Sequence, residues 1–235
     1  MRRFYERASS APAQGGFGVF LDDRPVRTPG KRLLVLPSAP LAAAVAGEWS
    51  VQGETVAPIS MPLTRLANTA LDIVGEKRDE VVAEIAGYGE TDLVCYRVDR
   101  PEELRRRQQA AWDPLVQWIA DEYGARLEVT TALVPTPQPR GAVDALCRAV
   151  TGFDDFVLAA FQRATGALGS IVLALAMTAG RIGAEEAWAA SLIDESYQAD
   201  RWGEDGDARE AREIVRRELD AADRFIALCR PAASS

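Results

Sequence analysis

Apolar positions alternate with polar ones in the first sixty residues and then recur every three or four residues to the end of the chain. Phe17, Val19 and Leu21 alternate across GFGVFLD, the period of a half-buried strand, and Asp22-Asp23 follows as a turn. Pro25-Val26-Arg27-Thr28 predicts a short partner strand, with Pro25 favouring an edge. Pro29-Gly30-Lys31 makes a second turn, and Leu33-Leu34-Val35-Leu36 a compact apolar strand. Ser38 is placed to cap a helix carrying Leu41, Ala44, Val45 and Trp49, with Pro40 in its first turn.

After Pro62 the period is helical. Leu63, Leu66, Ala67, Ala70, Leu71 and Val74 form one stripe, predicted to stop at Gly75. Val81, Val82, Ile85 and Ala86 form another, stopping at Gly87. Pro101 opens a helix with Trp112, Leu115, Val116 and Ile119 on one side. Asp113-Pro114 inside it is a kink or a fresh N-terminus. Residues 127–134 read as an extended link before Pro135, Pro137 and Pro139. Helices follow over 141–150 and 152–165. Ser170 to Ala179 is apolar throughout and belongs at the centre of a core. The last helix, from about Asp207 to Cys229, carries Ala211, Ile214, Val215, Ala222, Phe225 and Ile226 on its buried side. This pattern predicts an α+β protein: a small β-rich N-terminal domain over 1–75 and a larger all-helical C-terminal domain over 76–235.

Residues 188–205, WAASLIDESYQADRWGED, hold the most informative pattern. Treated as one helix, Trp188, Leu192, Ala199 and Trp202 share a narrow face, and Glu195 falls in its middle. A carboxylate buried there needs a partner such as Arg181, or access to water. Trp202 and Gly203 end the helix, with Gly203 at a left-handed stop, and Glu204, Asp205 and Asp207 follow. Six acids face one arginine between Asp194 and Asp207, a density that a basic partner would relieve. The arginine runs 105–107, 212 and 216–217 read as solvated helix faces.

Composition removes several classes of function. The net charge is −8, against the basic surface that nucleic acid requires. There is no histidine, hence no Ser-His-Asp triad, Cys-His dyad or histidine metal site. Gly15-Gly16-Phe17-Gly18 lacks the Lys-Ser/Thr of a phosphate loop. No cofactor and no metal are expected. Cys95, Cys147 and Cys229 fit a reducing compartment. No apolar run is long enough to cross a membrane, and MRRFYERA lacks the apolar stretch of a secretion signal. The expectation is a cytoplasmic monomer.

Four blocks in order, LDDRPVRTPGKRLLVLPS, the Glu48-Trp49 pair, MPLTRLANTALD and QADRWGED, resemble the assembly chaperones of the F-type ATP synthase that bind its unassembled alpha subunit. The resemblance runs from Phe4 to about Phe225. It implies a β-rich domain followed by a helical one, no enzymatic activity, and a role in keeping the free alpha subunit from aggregating before it pairs with beta. It also implies a functional glutamate in the C-terminal region, which Glu195 fits best and Glu204 second. Family members often carry a histidine in the acidic stretch, and this chain has none. A bacterial member is the simplest reading. The partner-binding candidates are Glu195, Trp202, Gly203, Glu204 and Asp205. The rival is a carboxylate-dependent helical hydrolase using Glu195 with Asp121 or Asp194 across a cleft.

Overall fold

Gly16 stands where no side chain fits: a Cβ there would lie 2.3 Å from the Leu36 carbonyl oxygen, and its φ is +153°. It opens the central strand of a four-stranded antiparallel sheet. In this computed structural model, which describes residues 2–132, 134, 136–203 and 206–230, the strands are β1 (Ala8–Ala13), β2 (Gly16–Leu21), β3 (Arg24–Pro25) and β4 (Val35–Leu36). β1 pairs with the whole of β2, from Ala8 opposite Leu21 to Ala13 opposite Gly16. β3 and β4 divide the other edge of β2 between them. Strand β1 has no apolar alternation in its sequence, ASSAPA, and was not expected. Its place is set by the ladder bonds to β2.

Helix α1 (Ala39–Ser50) lies against β1 and β2 and buries Leu41, Ala42, Val45 and Ala46. Ser38 caps it as the sequence predicts: its hydroxyl accepts from the Leu41 amide at 3.2 Å. The same hydroxyl donates to the Leu228 carbonyl.

The carboxylate of Glu48 then caps the next helix, α2 (Pro62–Thr69). It accepts from the Leu63 and Thr64 amides at 2.7 and 2.8 Å and from the Thr64 hydroxyl at 2.7 Å. A negative charge on free N–H groups at a helix start is favourable twice over, by hydrogen bonding and by the helix dipole.

Gly75 does not stop the helical run, contrary to the pattern. A wide turn over residues 70–74 carries α2 into α3 (Gly75–Gly87), with a kink at Lys77 (φ −126°, ψ 32°). The wide turn points Asp72 back at the loop before β4. Asp72 accepts from the Thr28 hydroxyl at 2.6 Å and the Gly30 amide at 2.8 Å. A Cβ on Gly30 would meet that carboxylate at 2.6 Å.

The chain divides into two compact units. The first takes residues 1–78, 153–160 and 221–235. Distant segments enter it through Ser38 on Leu228 and through Arg78, which holds both the Asp155 carboxylate and the Phe153 carbonyl. The second takes residues 79–152 and 161–220. Its helices include α4 (Glu102–Tyr123), α5 (Arg140–Thr151), α7 (Ile171–Thr178), α8 (Ala184–Ser191) and α9 (Ile193–Trp202). Helices α6 (Asp155–Leu168) and α10 (Gly206–Cys229) contribute residues to both.

All eight residues of α7 are buried, as its apolar run predicts, and α7 touches α4 and α8. Pro114 does not break α4, which stays helical on both sides of it. Residues 127–132 form no helix, and Thr130 bridges to Tyr96.

At the start of α7, Asp92 is wholly buried. It accepts from the Ser170 hydroxyl at 2.6 Å and from the Val94 and Val172 amides at 3.1 and 3.2 Å. Burial raises its pKa from 3.8 to about 6, and these bonds, Ser170 first, oppose the rise.

Two tests follow from these contacts. Glu48→Ala leaves the first turn of α2 uncapped, and is expected to cost about 1–2 kcal/mol in urea unfolding. Asp92 holds its proton more tightly folded than unfolded. Its contribution to stability is therefore full below about pH 4 and is lost as pH rises toward 6, by about 3 kcal/mol. Unfolding free energies of wild type and Asp92→Asn, measured from pH 4 to 7, should converge on or cross in favour of the variant as pH rises; parallel curves would refute the assignment.

Candidate functional site

The stretch from Trp188 to Trp202 is two helices. Leu192 breaks it (φ −109°, ψ 18°), ending α8 and starting α9. The single apolar face expected of it is therefore not formed. Next to the break, Trp112 of α4 is fully buried and its indole N–H must find an acceptor. It donates to the Ala190 carbonyl at 2.8 Å, an oxygen that the break leaves without its own helical donor. The Arg97 guanidinium lies over the same indole, 4.8 Å from the ring centroid. Arg97 also donates to the Gln108 carbonyl at 2.9 Å and pairs with Asp113 at 3.1 Å. Burial lowers its pKa, and Asp113 and other nearby groups oppose that shift.

With the register reset at Leu192, Tyr197 becomes the buried residue of α9. Two guanidinium groups flank its ring, Arg201 at 4.4 Å and Arg107 at 5.4 Å from the centroid. Exposed ion pairs complete the clamp on α4: Arg107 with Asp200 at 3.2 Å and with Glu103 at 2.8 Å, and Arg201 with Glu103 at 3.3 Å. Further along, the Gln108 amide donates to Asp194 at 2.7 Å.

The site residues therefore stand apart from the face expected for them. Glu195 is exposed and, among the described residues, its carboxylate has no hydrogen bond or ion pair; it does not meet Arg181. Trp202 is 77% exposed at the end of α9. Gly203 follows with φ +84° and ψ 166°, a positive φ that glycine tolerates, though its ψ is far from the left-handed helical stop expected. Glu204 and Asp205 lie outside the described residues. Of the acids in this stretch, Asp194 and Asp200 already have partners within the chain. The arginines at 105–107 are ion-paired with Glu102, Glu103 and Asp200 on the surface, as solvated faces.

Beside α9 lies a groove of about 350 Å³ that the sequence did not disclose. Ala110, Ala111 and Pro114 of α4 face Ala189 and Ala190 of α8 across it, and Ile193 closes one part. Small side chains on both helices leave the space. The alanine pairs flanking Pro114 and the helix break were the available signal, but it has no meaning until the two helices are known to be neighbours.

The carboxylates of the hydrolase reading do not converge. Asp194 is bonded to Gln108, whereas Asp121 lies thirteen residues further along α4, about 20 Å away at 1.5 Å per residue. Asp121 accepts from its neighbour Gln117. Among the described residues no cluster of acids or cysteines has the arrangement of a metal site, and no helix is long and apolar enough to cross a membrane. Cys95 is buried, and its thiol is pushed up to about 12 by burial and by Asp92, far from a reactive thiolate.

An exposed indole and an acid without an ion pair stand on a helix held to its neighbour, and among the described residues no catalytic constellation accompanies them. The crystal structure of Atp12 from Paracoccus denitrificans superposes with a TM-score of 0.93 at 42% identity, covering 97% of this chain and 98% of that one. The Atu1473 protein from Agrobacterium tumefaciens superposes with a TM-score of 0.93 at 37% identity, over 97% of this chain and 86% of its own. The mitochondrial protein atp12 of Schizosaccharomyces pombe is 24% identical over 221 residues, 89% of this chain and 76% of its own length. A family model described as ATP12 chaperone protein matches residues 2–120. The chain belongs to the ATP12 chaperone family, and is a chaperone of ATP synthase assembly rather than an enzyme.

Two tryptophans separate support from display. Trp112→Ala is expected to cost about 3–5 kcal/mol of stability, and Trp202→Ala to stay within about 0.5 kcal/mol, both read by chemical denaturation.

Proposed function

We propose that this chain holds the free alpha subunit of the F-type ATP synthase and keeps it from aggregating until beta covers the same surface. The contact is carried by Glu195, Trp202 and Gly203, with Glu204 and Asp205 next in sequence. The observation that supports this most is the pairing of an exposed indole with an unpaired carboxylate on a helix held firmly to its neighbour. Tryptophan is among the residues most often found at the energetic centre of protein interfaces. An acid without an internal partner loses no ion pair on meeting a basic client.

An unassembled subunit exposes apolar surface that later becomes an interface, and such patches drive association with the wrong partners. Covering it temporarily requires affinity below that of the final subunit contact. A standard interface of about 1,600 Å² with few buried ion pairs meets that requirement, and release needs no hydrolysis by the chaperone. The protein acts in the cytoplasm and as a monomer on this reading.

Co-purification with alpha and with beta, each expressed alone, tests the assignment. Alpha should be captured and beta should not; capture of beta alone, or of neither, would remove the assignment. Glu195→Lys should fold and melt like wild type yet fail to keep alpha in solution when light scattering is followed after dilution from denaturant.

A further inference from the structure

We propose that the groove between α4 and α8 is a preformed socket for one or two large apolar side chains of an alpha-subunit segment that also carries a basic residue. This deepens the reading above and rests on it. The groove holds about 350 Å³, at the small end of ligand pockets, so it admits side chains and not a whole helix. Its walls are alanines, with Pro114, Leu115, Ile182 and Ile193, and they are apolar for most of their area.

Three polar features choose among apolar occupants. Pro114 has no N–H, so the Ala110 carbonyl one turn earlier lacks its normal helical donor, and Ala110 lines the groove. That oxygen is an acceptor for an N–H brought by the occupant. Glu186 also lines the groove and, among the described residues, its carboxylate makes no ion pair. Glu185 and Glu195 lie near it in sequence and are exposed. Arg181, the one cation of the lining, is likewise without an ion pair among the described residues. A basic side chain of the segment meets Glu186 and donates to the freed carbonyl, while Arg181 on the same lining fixes the direction in which the segment lies.

The socket is ready-made. Trp112 ties α4 to Ala190 and Gln108 ties it to Asp194, so the walls on both sides are held at fixed separation before any client arrives. Binding then orders little of the chaperone, which favours affinity.

The full chain is titrated against fluorescently labelled alpha subunit. Ala189→Trp fills the groove from an exposed helical position. It should fold as wild type by circular dichroism and melting, and weaken capture of alpha by about tenfold or more. Glu186→Gln keeps the shape and removes the charge; it should weaken capture by about threefold at low salt, and the difference should vanish at high salt. If Ala189→Trp unfolds, Glu186→Gln with its salt dependence decides alone. Should both variants fold and bind alpha like wild type while Glu195→Lys fails, the groove assignment falls and the alpha-subunit reading stands. Should wild type itself not bind alpha, both fall together.

Discussion

A buried indole N–H cannot be left without an acceptor, and in the middle of α4 the Trp112 side chain has no water to turn to. The acceptor it takes is the Ala190 carbonyl, at the point where α8 gives way to α9. That single bond marks where the helical run is interrupted. The interruption rotates everything after Leu192, so that Tyr197 faces inward and Glu195 and Trp202 face outward. It also sets the wall of the groove, because Ala190 is both the acceptor and part of the lining. Arg97 lies over the same indole and pairs with Asp113.

In the first unit the blocks that carry the family resemblance are bonded to one another. Glu48 of the Glu48-Trp49 pair caps the helix that begins with MPLTR, through Leu63 and Thr64. Asp72, which ends MPLTRLANTALD, reaches the Thr28 hydroxyl and the Gly30 amide within LDDRPVRTPGKR. The Trp49 carbonyl accepts from the Tyr5 hydroxyl at 2.7 Å. These residues are specified because each is half of a polar contact between segments distant in sequence. The fourth block, QADRWGED, differs. Asp200 and Arg201 clamp α9 to α4, while Trp202 contacts solvent, so the block joins a structural part to a displayed one.

For a chaperone the division is useful. The exposed ion pairs between α4 and α9 are individually weak; rigidity comes from the buried contacts of Trp112 and Tyr197 beneath them. A surface held in this way keeps the Trp202 indole exposed while Trp112 and Tyr197 stay buried beneath it.

The pattern of residues was enough to determine most helices, the Ser38 cap, the burial of α7 and the central strand β2, because each follows from local periodicity and short-range hydrogen bonding. It was also enough to remove histidine chemistry and to mark the family through four ordered blocks. Tertiary structure alone decided the rest. Strand β1 has no side-chain signal and exists through backbone bonds to β2. Gly75 and Pro114, ordinarily breakers, lie inside continuous helical runs, whereas Leu192, with no breaker in its sequence, is where a helix ends. Residues 153–160 and 221–229 join the first unit through Arg78 and Ser38, across separations that no window along the chain can register. An unbroken helix would set Glu195 on an apolar face; with the break at Leu192, beside the Ala190 carbonyl that accepts from Trp112 seventy-eight residues away, it is exposed instead.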